Sequence, residues 1–306
     1  MRRQRLGSNG PQISVIGYGA WEAGGTSWGP NRSDEAVIAA IRSALDAGID
    51  WIDTAEVYGA GESERLVGRA IAGRRDDVTI ATKVGEGDDG SGFRPEDVVR
   101  ACDGSLARLG IDHIDLYQVH WRSDDVPVEE TWGAMAALQD AGKVRWIGVS
   151  NYERDDIERC LAQRHVDSLQ PEFSMLDRTN AELIRWCGQR GIGVVAYGPL
   201  AYGLLTGRFS RDDIGSFGDW RDEETEGVFA PHAIGRNLAI VEALGAIARR
   251  LDATTGQLAL AWNAAQPGVT AAIAGSRNPD HVRENAAAGD LQLDAATLTE
   301  IDALLT

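Results

Sequence analysis

The sequence predicts an α/β fold: a single closed (β/α)8 barrel with an N-terminal β-hairpin and a C-terminal helix. Three observations carry that expectation. Short, largely apolar strand-like runs alternate with helical periodicity along the 306 residues, as a parallel sheet covered on both faces requires. Counting the run at Val15–Ala20, the strand–helix units number eight. No Pro/Ser linker divides the chain, which favours one barrel domain over residues 1–306 rather than two doubly wound halves.

The elements follow in order. Runs 2–6 and 12–16 flank a turn signal at Asn9-Gly10 and read as a hairpin. Further strands are expected at 49–52, 78–81, 114–120, 144–150, 166–170, 193–197 and 270–274. Helices are expected at 62–72, 95–109, 128–141, 154–164, 179–189, 235–250 and 294–304. In 95–109, Val98, Cys102, Leu106 and Leu109 recur at helical spacing behind a first-turn Pro95. Thr179 with Glu182, and Thr254 with Gln257, have capping-box spacing. Asn278-Pro279 offers a cap and a first-turn proline for one more helix. Residues 208–232 are rich in Asp, Glu and Gly and lack periodicity, so they read as a lid-like loop.

Charge narrows the function classes. Lys and Arg number 30 against 47 Asp and Glu, a formal net charge of −17. That balance argues against binding nucleic acid or an anionic membrane surface. The three cysteines, Cys102, Cys160 and Cys187, are too few and too dispersed for a disulfide framework or a zinc site. The basic start, Met1 to Arg5, is not followed by an apolar stretch, and no 18-residue apolar run exists. A cytoplasmic location is therefore expected. The His residues are scattered, and no metal is expected.

Gly85, Gly87 and Gly90 have the G-x-G-x-x-G spacing of a dinucleotide loop, but Ser91 to Arg94 separate them from the next helix. The intervening positions are also acidic and would repel a pyrophosphate, so the segment reads as a flexible loop. The chemistry lies elsewhere. In a barrel the C-terminal strand ends share one mouth, where active sites form. One strand ends at Asp53, with Tyr58 five residues on; others end at Lys83 and His120. A tyrosine with an ordinary pKa of about 10 is a poor acid at neutral pH. A Lys ammonium lowers that pKa, an Asp holds the Lys charged, and a neutral His orients a substrate oxygen. None of these groups supplies a hydride, so a reducing cofactor must.

The segment Asp53-Thr54-Ala55-Glu56-Val57-Tyr58, continuing through Gly59, Gly61, Ser63 and Glu64, resembles the signature of the aldo-keto reductases. So do Ala81-Thr82-Lys83, Val119-His120-Trp121, Gly148 to Asn151, and Tyr197 to Leu200 followed by Gly203 to Gly207. These motifs run in the family's order from the hairpin to about residue 287. The resemblance implies a (β/α)8 barrel that reduces aldehydes or ketones with NADPH, NADH being the lesser expectation. It implies a catalytic tetrad of Asp53, Tyr58, Lys83 and His120. It places Ser150, Asn151 and Gln170 on the nicotinamide amide and Tyr197 against the nicotinamide ring. Gly198, Leu200, Gly203 and Leu205 would line the pyrophosphate through their backbones. Gly275 and Arg277 match the adenosine 2′-phosphate segment, with Arg277 gripping the phosphate. His281 stands where the family commonly has Gln or Arg. Glu284 and Asn285 match the adenine contacts.

Trp21, Trp28 and Trp121 lie near strand ends and are candidate substrate walls, with Trp220 in the lid. Glu22 and Glu56 near the mouth would disfavour anionic substrates. The expected partner is a small carbonyl compound. Two alternatives use the same residues: a sugar or polyol dehydrogenase running in the oxidative direction, and a nucleotide-sensing, non-catalytic subunit.

Overall fold

Eight short parallel strands close on themselves, and helices cover the outside. The computed structural model describes residues 1–25, 28, 33–85 and 92–305. β1 (Arg3–Arg5) and β2 (Gln12–Ser14) form the antiparallel hairpin, with Arg3 opposite Ser14. The barrel strands are β3 (Ile16–Gly19), β4 (Trp51–Asp53), β5 (Thr79–Val84), β6 (Ile114–Val119), β7 (Val144–Ser150), β8 (Ser168–Gln170), β9 (Gly193–Ala196) and β10 (Ala271–Ala274). They follow one another in sequence order, and β10 closes the ring by pairing with both β9 and β3.

Helices α1 (Asp34–Asp46), α2 (Glu62–Ile71), α3 (Pro95–Leu109), α4 (Val128–Asp140), α5 (Arg154–Leu161) and α6 (Ala181–Gln189) alternate with these strands. They are joined by α7 (Ile234–Arg250), α8 (Thr255–Ala264), α9 (Pro279–Ala287) and the terminal α10 (Ala295–Leu304). Their apolar faces pack on the strands. On α3, Val98, Cys102 and Leu109 are buried, as the periodicity predicts. α1 has no counterpart in the sequence reading. Ser33 caps it by accepting from the Ala36 N–H, and the helix buries Val37, Ile38, Ala40, Ile41, Ala44 and Leu45.

The Thr254 and Gln257 box forms reciprocally at the start of α8, and Asn278 caps α9 through the Asp280 N–H. The Thr179 and Glu182 box does not form. The Thr179 N–H donates to Asp177 Oδ1 instead, and α6 starts at Ala181 behind Asn180. The aperiodic stretch 208–232 carries two short 3₁₀ turns, Arg211–Asp213 and Trp220–Asp222. Gly87 and Gly90 of the glycine-spaced loop lie outside the described residues.

The hairpin plugs the N-terminal end of the barrel, where Leu6, Ile13, Trp51, Leu116 and Val195 pack together. Trp51 Nε1 donates to the Ser14 carbonyl at 2.9 Å. A Cβ on Gly17 would stand 2.2 Å from the Trp51 ring, so that position admits only glycine. With one end sealed, the opposite mouth is the open one. Among the described residues no helix is long and apolar enough to cross a membrane, and no group of His, Cys, Asp and Glu could hold a metal ion. All three cysteines are free and buried.

Candidate active site

Asp53 ends β4, Lys83 lies near the end of β5, and His120 follows β6, so three adjacent strands aim them at one mouth. Lys83 is 0% exposed. Its Nζ donates to Asp53 Oδ1 at 2.6 Å, to the Thr54 carbonyl at 2.9 Å and to the Tyr58 hydroxyl at 3.2 Å. Burial disfavours the ammonium, but Asp53 and Tyr58 outweigh it and hold the Lys83 pKa above its ordinary value. Burial likewise raises the Tyr58 pKa, and Lys83 only partly opposes it. The expected lowering of Tyr58 is thus a real contribution from Lys83 that desolvation exceeds. Burial, with Lys83 nearby, drives His120 down to about 2, so the ring is neutral. Its Nδ1 is buried without a hydrogen-bond partner among the described residues.

A network missed by sequence reading braces the Tyr58 loop. Fully buried Glu64 accepts from Thr82 Oγ1 and from Arg108 Nε, each at 2.6 Å. Arg108 Nη2 also lies 3.6 Å from Glu56 Oε2, while Glu56 Oε1 accepts the Gly85 N–H at 3.0 Å. Glu56 and Glu64 both stand in the signature segment, which was the available signal. Their arginine, on α3, is far off in sequence.

The nicotinamide candidates meet around Asp53. Gln170 Nε2 donates to Asp53 Oδ2 at 2.8 Å. Ser150 Oγ donates to the Gln170 carbonyl at 2.8 Å, and Asn151 Nδ2 donates to the His120 carbonyl at 3.1 Å. The Tyr197 hydroxyl donates to Asn151 Oδ1 at 3.0 Å. Gly198 takes φ +67°, a conformation that favours glycine. The next turn is tight: the N–H groups of Gly203 and Leu205 both donate to the Leu200 carbonyl. Leu205 is fully buried.

The adenosine candidates lie after β10. A Cβ on Gly275 would stand 2.4 Å from the Gly19 carbonyl oxygen, so glycine lets these loops touch. Arg277 is 8% exposed; it donates to the Trp28 carbonyl and lies 3.6 Å from Glu22 Oε2. His281 is half-buried on α9, one turn beyond the cap, and Asn285 is buried on the same helix. Glu284 accepts from Arg208 Nη2 at 2.5 Å and from Thr254 Oγ1 at 2.9 Å.

The aromatic candidates frame the mouth. Trp121 stacks on His120 with ring centres 3.6 Å apart. Trp21 lies 6.3 Å from the Tyr58 ring. Trp21 and Trp28 also pack with Trp220 of the 208–232 stretch, at 6.2 and 5.6 Å. Tyr202 joins them 5.0 Å from Trp220, and its hydroxyl donates to Glu172 Oε1 at 2.7 Å. Sequence reading singled out neither Tyr202 nor Glu172.

The family model described as "Aldo/keto reductase family" matches residues 15–306. The aldo-keto reductase YhdN of Bacillus subtilis is 37% identical over 287 residues, 91% of this chain and 86% of the relative. The NADH-specific methylglyoxal reductase of Escherichia coli is 33% identical over 319 residues, 98% of this chain and 97% of the relative. The solved glycerol dehydrogenase AKR11B4 from Gluconobacter oxydans superposes with a TM-score of 0.88 at 30% identity. That alignment covers 99% of this chain and 94% of the solved one.

Proposed function

The chain belongs to the aldo/keto reductase family and is an oxidoreductase of carbonyl compounds, and on that premise we propose that it reduces aldehydes and ketones with NADPH, Tyr58 giving the proton. The observation that carries this reading is Lys83 Nζ, which touches Asp53 Oδ1 and the Tyr58 hydroxyl at once. The residues present fit a nicotinamide dinucleotide. Tyr197 offers a rim aromatic, Gly198 leaves room for close backbone approach, and Arg277 precedes the capped start of α9. A helix N-terminus favours an anion there. When bound, the dihydronicotinamide supplies the hydride.

The protein's own residues handle the oxygen. Tyr58 carries the proton and Lys83 stabilises the phenolate left behind. Asp53, held by Gln170, keeps Lys83 charged and in place. Neutral His120 can donate to the substrate oxygen and set its angle. Burial keeps Tyr58 protonated, so the hydroxyl holds the proton that reduction must deliver to the substrate oxygen. The complete tetrad supports catalysis over nucleotide sensing alone. Free buried thiols suit a cytoplasmic setting.

The substrate walls are Trp21 and Trp121, the two mouth tryptophans that stay exposed at 39% and 43%. They suit a flat or medium-sized uncharged carbonyl. The test is NADPH oxidation across a panel of aldehydes and ketones. Steady turnover with at least one carbonyl is expected; NADPH binding without turnover on any of them would remove the reductase reading.

A further inference from the structure

Glu22 and Arg277 are 255 positions apart, yet they meet because β10 pairs with β3 to close the barrel. Ala274 stands opposite Tyr18 in that pairing. The Tyr18 hydroxyl then donates to the Ser276 carbonyl at 3.0 Å, so the two loops leave the rim side by side. There Arg277 Nε lies 3.6 Å from Glu22 Oε2, with the side chains only 10% and 26% exposed. Burial raises the Glu22 carboxyl, and the Arg277 guanidinium and backbone N–H work to keep it ionised. Arg277 Nη2 also donates to the Trp28 carbonyl, so the segment that carries Glu22 grips the guanidinium twice.

We propose that Glu22 is a specificity-determining residue for the cofactor: its carboxylate engages Arg277 as a built-in competitor of the adenosine 2′-phosphate and narrows the preference for NADPH over NADH. The inference rests on reading Arg277 as the 2′-phosphate ligand. A 2′-phosphate reaching Arg277 must displace a partly buried carboxylate or sit beside it. Either cost falls on NADPH alone, because NADH carries a 2′-hydroxyl there. A carboxylate can accept a hydrogen bond from such a hydroxyl, as acidic residues do in NAD sites. Of the neighbouring arginines, Arg221 also acts on the Glu22 carboxyl but is itself held by Asp219 Oδ2 at 2.7 Å. Arg208 donates to Glu284, and Arg283 donates to Ser43 and Asp280. The proposed 2′-phosphate ligand, Arg277, therefore already faces an anion.

The test compares dissociation constants of NADPH and NADH, read by quenching of tryptophan fluorescence. In Glu22→Gln the NADPH constant should fall about three- to tenfold, with NADH changing less than about twofold. Glu22→Ala should give the same direction, which guards against a packing artefact of the first variant. In an Arg277→Met background, Glu22→Gln should no longer change the ratio. The proposal is overturned if both constants move together, or if neither moves while Arg277→Met still weakens NADPH. If Arg277→Met leaves NADPH binding unchanged, the 2′-phosphate reading itself falls and the proposal with it.

Discussion

A lysine ammonium that is 0% exposed persists at position 83 because Asp53, Thr54 and Tyr58 surround it with oxygens. Removing one partner of such a buried pair costs about 3–5 kcal/mol. Asp53→Asn should therefore lower unfolding free energy by about that amount in a denaturant titration and also slow turnover; an unchanged midpoint would contradict the pairing. His120 gives a second test. Its folded pKa of about 2 lies below the ordinary value, so folding favours the neutral ring. That contribution is present above about pH 6.5 and is lost as acid is added toward pH 2. With Tyr58 raised and His120 lowered, kcat for reduction should show no inflection between about pH 5 and 9. An inflection near pH 6.5 that disappears in His120→Gln would contradict a neutral His120. The four catalytic candidates were readable from sequence because Asp53, Lys83 and His120 sit at strand ends and Tyr58 lies in the dense motif that follows Asp53. The Lys83 bond to the Thr54 carbonyl was not, since a backbone acceptor leaves no mark on residue type.

At the scale of elements, α2, α3 and β5 are locked together behind Tyr58 by Glu64, Arg108 and Thr82. Arg108→Met leaves the Glu64 carboxylate buried without its cation and should cost about 3–5 kcal/mol. Adding Glu64→Gln to that variant should recover part of the loss, measured by a double-mutant cycle; purely additive losses would contradict the coupling. The 208–232 stretch is held differently, by Trp220 against Trp21, Trp28 and Tyr202. Protease cleavage within 208–232 should slow when NADPH is bound, and equal cleavage with and without it would count against a lid. Helix ends were legible where a side chain truly caps, as at Thr254 and Asn278. The spacing at Thr179 misled because the Asp177 side chain takes its N–H first.

Across the whole molecule, barrel closure decides what sequence could and could not reveal. Strand order and the shared mouth follow from local pattern, because each unit pairs with the next. The Glu22 and Arg277 contact appears only when the last strand meets the first. The same holds for Trp220, which a long aperiodic stretch brings back over the opening. A net charge of −17 sets the global field against an anionic cofactor, so on the proposed reading a local cation such as Arg277 carries its recognition. The proposed reduction depends on proton delivery by Tyr58 from the Lys83-bound hydroxyl. The most direct measurement is Tyr58→Phe, with carbonyl turnover and NADPH affinity read on the same preparation. Turnover should fall about a hundred- to ten-thousand-fold while the NADPH dissociation constant stays within about twofold. Undiminished turnover in Tyr58→Phe would contradict the mechanism.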